Sequence, residues 1–192
     1  MKENFAKFIR IVSVPPVLVT ALIVILAVAR DDVFTSTIDI VMALIFLALI
    51  PVIAYPLSVL IPEIKEKGRE GQRNLAFILT AVGYVIVWLY GLLSACNQNL
   101  QLLFTSYLLS VVILLILNKL LKIRASGHGC SITGPIVLVS YFLGFQGFVV
   151  GCVAYALIFW ASIRTKRHTP QEFIFGTATS LVSFTLTLLV IM

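Results

Sequence analysis

The chain contains two histidines, His128 and His168, and each lies in a short polar cluster at the end of a long apolar run. The first cluster reads Lys122-Ile123-Arg124-Ala125-Ser126-Gly127-His128-Gly129-Cys130, and the second runs from Arg164 through His168 to Glu172. Cations and ionisable rings beside lipid-compatible segments cost free energy, so their presence calls for a function. The residue types suit phosphate chemistry. Phosphoryl transfer asks a protein for a nucleophile, a proton donor and positive charge around the equatorial oxygens. His168 is the candidate nucleophile, whose attack on phosphorus gives a phosphohistidine. Glu172 stands four residues on, one helical turn, where it can accept the other imidazole N–H and set the tautomer. His128 is the candidate acid for the departing alkoxide and then the base for water. Lys122, Arg124 and Arg164 are candidates to surround the phosphate together with Ser126 and Gly127, the glycine allowing backbone N–H groups to approach.

Each residue also has a plainer role. Lys119, Lys122 and Arg124 suit a basic loop that only orients the chain in a membrane, and Lys166 and Arg167 suit head-group anchoring. Glu172 suits the first turn of a helix through the helix dipole, and Pro170 suits its start. Ser126 or Ser131 can cap the helix that follows them. The joint pattern is harder to explain this way than its members are. No metal or cofactor is called for, since no carboxylate or thiolate cluster has zinc or magnesium spacing. Cys96, Cys130 and Cys152 form no CxxC motif and are read as small packing residues.

The elements that must position these clusters are transmembrane helices. Of 192 residues, 60% are hydrophobic and 11% charged, with mean hydropathy +1.10, which excludes an ordinary soluble domain. The expected fold class is all-α, a single integral membrane domain over residues 1–192 with about six to seven spans. A helix needs about 20 apolar residues to cross a bilayer. The candidates are Ile11 to Ala29, Ile38 to Ile61, Leu75 to Ala95, Leu100 to Leu121, Ile132 to Leu143, Phe148 to Ile163 and Phe173 to Met192. The fifth and sixth are short, joined by a tight turn at Gly144-Phe145-Gln146-Gly147. Pro51 and Pro56 predict a kink in the second. Gly147 and Gly151 form a small-xxx-small pair suited to close helix packing. The first run ends in Ala27-Val28-Ala29, like a signal-peptide cleavage site, but its length and Pro15-Pro16 favour a retained helix.

The net charge of +6 is distributed by loop, without an aromatic-basic module, so no nucleic-acid partner is expected. With the N-terminus inside, every one of the 14 Lys and Arg residues except Arg30 falls on the inner side, and the imbalance survives removal of those nearest the histidines. The two spans between them, a helical hairpin that crosses and returns, put both histidine clusters at one end of the bundle, facing the cytoplasm.

Ser126-Gly127-His128, a helical hairpin, then His168-Thr169-Pro170-Gln171-Glu172 with Gly176 resembles the type 2 phosphatidic acid phosphatase superfamily of membrane lipid phosphatases. The resemblance covers roughly residues 100–192 and points to a short, divergent branch. That family carries Lys-x6-Arg-Pro, Pro-Ser-Gly-His and Arg-x5-His-x3-Asp motifs. Here the first motif is incomplete, Lys119, Lys122 and Arg124 stand directly against the second, and Ala125 replaces its proline. In the third, the arginine position falls on Ser162, with Arg164 and Arg167 nearest, and Glu172 replaces aspartate. The charged stretch Lys65 to Arg73 resembles the family's corresponding loop more weakly.

The resemblance implies metal-independent hydrolysis of a lipid phosphate monoester or a polyprenyl diphosphate through a phosphohistidine, with membrane lipids as surroundings. The alternative is a catalytically degenerate protein that binds phospholipid head groups or scaffolds partners. A transporter is disfavoured, with no inverted repeat and no acidic residues at mid-membrane depth. The oligomeric state is left open. A reporter fused after Arg167 is expected to be cytoplasmic, and an extracytoplasmic reporter overturns the charge-derived orientation.

Overall fold

The structure is a computed structural model that describes residues 2–165 and 168–191. Lys166 and Arg167, read above as head-group anchors, lie outside the described residues. Every regular element among the described residues is helical. We number them α1 (Lys2–Val12), α2 (Pro15–Ala29), α3 (Thr37–Leu60), α4 (Pro62–Glu66), α5 (Gly68–Leu93), α6 (Gln98–Leu120), α7 (Gly127–Arg164) and α8 (Pro170–Ile191).

Five of these helices, α3 and α5 to α8, are long and apolar enough to cross a membrane, and a sixth is added if α1 and α2 count as one bent span. The distribution of polarity fits a lipid surround. Leu93, Phe145 and Leu189 are 86%, 79% and 77% exposed, while Ser110, Ser180, Ser183 and Thr187 are buried. Ser110, Ser183 and Thr187 each donate back to a carbonyl of their own helix, as a hydroxyl must where water is excluded.

The expected first span, Ile11 to Ala29, is not one helix. Pro15 pushes Val14 into extended backbone (φ −63°, ψ 145°), because a residue before proline is sterically kept from the α region. The chain therefore bends by 57° between the two helices. α1 is then short and two-sided: Ala6 and Ile9 are buried, while Phe5, Phe8 and Ile11 face outward. The second expected span carries both prolines within one continuous helical run, α3. Leu44–Leu49 winds as a wide π turn immediately ahead of Pro51, which accommodates the missing proline N–H. The charged stretch after Pro62, expected as a loop, is helical. It forms α4 and the first turns of α5, separated by Lys67, with Gly68 opening α5 at φ +56°.

As a straight helix, α7 with its 38 residues would extend about 57 Å. It instead reverses at Gly144 (φ 64°, ψ −143°), a conformation only glycine adopts readily. The second arm folds back along the first. A Cβ built on Gly151 would lie 2.6 Å from Ile136 Cγ2, and one on Gly147 would strike the Val139 carbonyl. The hairpin expected between the fifth and sixth segments is therefore present as two packed arms, residues 127–143 and 145–164.

The main core joins α2 (Val19, Leu22, Ile23, Leu26), α3 (Ala43, Leu47) and α6 (Leu100, Leu102, Leu103, Phe104), all nearly inaccessible. A smaller cluster unites Ala6 and Ile9 of α1 with Ile132, Ile158 and Phe173, so α1 packs under the start of α7. At the far end, Arg30 pairs with Asp32 at 2.6 Å and donates to the Phe142 carbonyl, and Asn99 donates to Asp32 at 2.9 Å. The hydrogen bond from Arg30 holds the Asp32 carboxyl below its usual range. Asn99 and Asn118 lie on one helix about 29 Å apart, so Arg30 occupies the end of the bundle opposite Asn118.

The tightest packing points are helix crossings that admit no side chain. Gly176→Ala would drive a Cβ into the Ser126 carbonyl, whereas Gly134→Ala would meet Ser180 Oγ at an ordinary 3.6 Å. Gly176→Ala is expected to destabilise by about 1–3 kcal/mol, and Gly134→Ala to leave the thermal midpoint of the detergent-solubilised protein almost unchanged.

Candidate functional site

The first polar cluster is held in place by Asn118. The last turn of α6, Ile116–Leu120, widens to a π turn. From it the Asn118 side chain donates to the Ala125 carbonyl and accepts from the Ala125 N–H, both at 3.1 Å. Ile123 N–H donates to the Leu117 carbonyl at 2.8 Å, and Lys122 makes the turn at φ +56°. A non-helical segment at the end of an apolar bundle must have its backbone groups satisfied, and Asn118 does so by imitating a strand partner. Ser126 then starts α7 as an N-cap, its Oγ accepting from Gly129 N–H at 3.1 Å. Ser131 does not cap; its hydroxyl donates to the Gly127 carbonyl.

The second cluster is set by a capping box at the start of α8. Glu172 N–H donates to Thr169 Oγ1, and Thr169 N–H donates to Glu172 Oε2, both at 3.2 Å, which satisfies two helix-end donors at once. Fixed this way, Glu172 places Oε2 3.7 Å from His168 Nδ1 and Oε1 3.8 Å from Arg124 Nη1. The two clusters are joined by backbone as well, Ser126 N–H donating to the Glu172 carbonyl at 2.9 Å. Beside this bond, Gly176 packs against the Ser126 carbonyl, and a Cβ on Gly129 would lie 2.8 Å from the Phe173 carbonyl.

The consequence is that the two imidazoles meet. Their ring centroids are 5.9 Å apart and their planes 16° from parallel. His168 is one wall of a cavity of about 210 Å³, which Glu172, Arg124, Ala125, Ser126, Gly127, Asn118 and Arg73 complete. His128 stands beside His168 and not among the wall residues. Its Nε2 is buried without a hydrogen-bond partner among the described residues. Arg10 of α1 lies within electrostatic reach of it. A buried ring nitrogen left unsatisfied costs free energy.

Two expected phosphate ligands are elsewhere. Lys122 and Arg164 are both exposed, and neither lines the cavity. Lys122 occupies the left-handed turn, and Arg164 ends the second arm of α7, where its side chain projects from the last turn. Their place among the walls is taken by Arg73 and Asn118, which the sequence did not single out as ligands. Arg73 carried a faint signal as the end of the charged stretch before an apolar run. Asn118 carried none, because its partner, Ala125, is seven residues away and defined only by backbone bonds. No cluster of three or more His, Cys, Asp or Glu side chains fit to hold a metal occurs among the described residues.

The cavity can take a small anion: two guanidinium groups, a cap serine and the exposed backbone at Gly127 border it, with an imidazole at its wall. Asn118→Ala leaves the Ala125 N–H and carbonyl unpartnered and is expected to cost about 1–3 kcal/mol, read as a lower thermal midpoint. Lys122→Ala, at an exposed position, should shift stability by about 0.5 kcal/mol or less. The chain matches no family model, no curated protein and no solved structure, so its function rests on this geometry.

Proposed function

We propose that the protein is an integral membrane phosphatase that hydrolyses a lipid phosphate monoester or a polyprenyl diphosphate through a phosphohistidine, and that it is a divergent relative of the type 2 phosphatidic acid phosphatases. The observation that carries this reading is the pairing of the two imidazoles at 5.9 Å beside the Arg73–Arg124 cavity. Separate capping and packing needs explain Ser126 and Thr169, but they do not require both histidines to stand together at one end of an apolar bundle.

In this mechanism the phosphate enters the cavity and Arg73 and Arg124 neutralise its oxygens, with Gly127 offering unobstructed backbone. His168 Nδ1 faces Glu172, and Nε2 is assigned as the attacking atom. The N–P bond forms as the ester P–O bond breaks, and His128 gives its proton to the leaving alkoxide. Water then attacks phosphorus and passes a proton to His128. The P–N bond breaks, and phosphate leaves with His168 restored. Side chains supply all the charge that these steps require, so the mechanism uses neither metal nor cofactor. Arg124 is released from Glu172 as the phosphate arrives; an exposed pair of this kind holds by less than about 1 kcal/mol, so the exchange is cheap.

The hairpin of α7 makes two crossings, so that seven segments traverse the membrane when the bent α1–α2 pair is counted. The basic residues then put this cavity on the cytoplasmic side. One observation favours a different reading, a head-group binder without catalysis: among the described residues, neither Lys122 nor Arg164 brings its charge to the cavity walls.

Phosphate release by the purified protein decides between the two. Release from a panel of lipid monophosphates and prenyl diphosphates is expected to persist in EDTA. It should fall to background in His168→Ala and by about 10²–10⁴-fold in His128→Ala. No release from any lipid by folded protein, with phosphate-bearing lipids still bound, selects the head-group binder.

A further inference from the structure

A second cavity, of about 500 Å³, lies between α5 and α6. Ala81, Val82 and Val85 line it from one helix and Val112 and Leu115 from the other, with Asn74 and Lys119 among its walls. These two polar residues are the chain neighbours of Arg73 and Asn118, which line the anion cavity. On both helices, then, consecutive residues serve the two cavities. From Asn74 to Val85 the groove runs about 16 Å along α5, roughly half of the 30 Å hydrocarbon thickness. It therefore reaches from the anion cavity to about the middle of a bilayer.

We propose that this groove holds the single long apolar chain of the phosphate ester whose head occupies the anion cavity. The inference rests on the lipid phosphate reading above and adds to it which surface selects the tail. Three features commit the groove to this occupant. Its polar walls, Asn74 and Lys119, adjoin Arg73 and Asn118 of the cationic cavity on the same two helices, so one molecule with an anionic head and an apolar tail matches both. Its walls beyond Asn74 and Lys119 are apolar, which suits a hydrocarbon chain and offers a polar ligand no hydrogen bond. A helix from a second copy is about 10 Å across and over this length would need more than twice the volume present. Lys119 can lay its methylenes along the chain and keep its ammonium at the head-group level. Ala81 is the smallest wall residue, and its size keeps the groove open beside Val112.

The test uses the protein in lipid nanodiscs and a hexadecyl phosphate carrying a diazirine in mid-chain, with adducts mapped by peptide mass spectrometry. Adducts are expected on residues 77–85 and 108–115. Excess unlabelled hexadecyl phosphate should suppress them at least fivefold, and butyl phosphate or hexadecanol should not. Ala81→Trp, which fills the groove, should reduce them about tenfold. Adducts spread as densely over the outward residues of α8, such as Leu189 and Val190, or unaffected by Ala81→Trp, overturn the proposal. Phosphate release is followed in the same samples. Release without groove adducts overturns the tail site and leaves the phosphatase standing. Competed groove adducts without release sustain the tail site and overturn the catalytic reading.

Discussion

Everything at the polar end of the bundle depends on how closely the starts of α7 and α8 approach each other. Gly129 and Gly176 supply that approach, each lying where a Cβ would meet the other helix's backbone, and the Ser126 N–H to Glu172 carbonyl bond locks it at 2.9 Å. In a lipid surround, helix association gains little from burying apolar area, because the tails outside are as apolar as the residues inside. Close van der Waals contact and backbone hydrogen bonding do that work here. The imidazole pair depends on this contact, since His128 sits between Gly127 and Gly129 and His168 lies just ahead of the first turn of α8.

Glu172 shows how structural and chemical demands fall on one side chain. Its Oε2 closes the capping box and also faces His168 Nδ1, while Oε1 faces Arg124. The capping bond, at 3.2 Å, is a directional hydrogen bond, whereas the two charge contacts, at 3.7 and 3.8 Å, lie beyond hydrogen-bond distance. The position of the carboxylate is therefore set by the needs of the helix end, and the histidine benefits from a carboxylate that would be there in any case. Asn118 is the counterpart on the other side of the cavity, holding Ala125 by two hydrogen bonds and so presenting Arg124, Ser126 and Gly127 along one wall.

The sequence alone determined the all-helical class, the apolar runs long enough to cross a membrane, the hairpin around Gly144 and the placing of the two histidine clusters at one end of the bundle. Composition and run length carry the first two. The glycine at Gly144 and the short apolar runs on either side carry the third, because a reversal there needs a left-handed residue. The meeting of His128 with His168 was legible only as a shared end of the bundle. Its 5.9 Å separation came from the glycine crossing, and nothing in the spacing of residues 40 apart specifies a distance.

Tertiary structure alone decided which cations border the cavity and how the first and second apolar segments wind, the first broken by 57° and the second widened ahead of Pro51. Arg73 is brought to the wall by α5 packing beside α6, whereas Lys122, four residues from the cavity serine in sequence, is turned away by its own left-handed backbone. The break before Pro15 could have been read from local rules, yet the apolar run across it is unbroken, and hydropathy does not register a backbone bend. Local propensity and apolar run length are properties of neighbouring residues and survive in the sequence. The identity of a cavity wall depends on which faces of distant helices meet, and that is fixed only when the bundle packs.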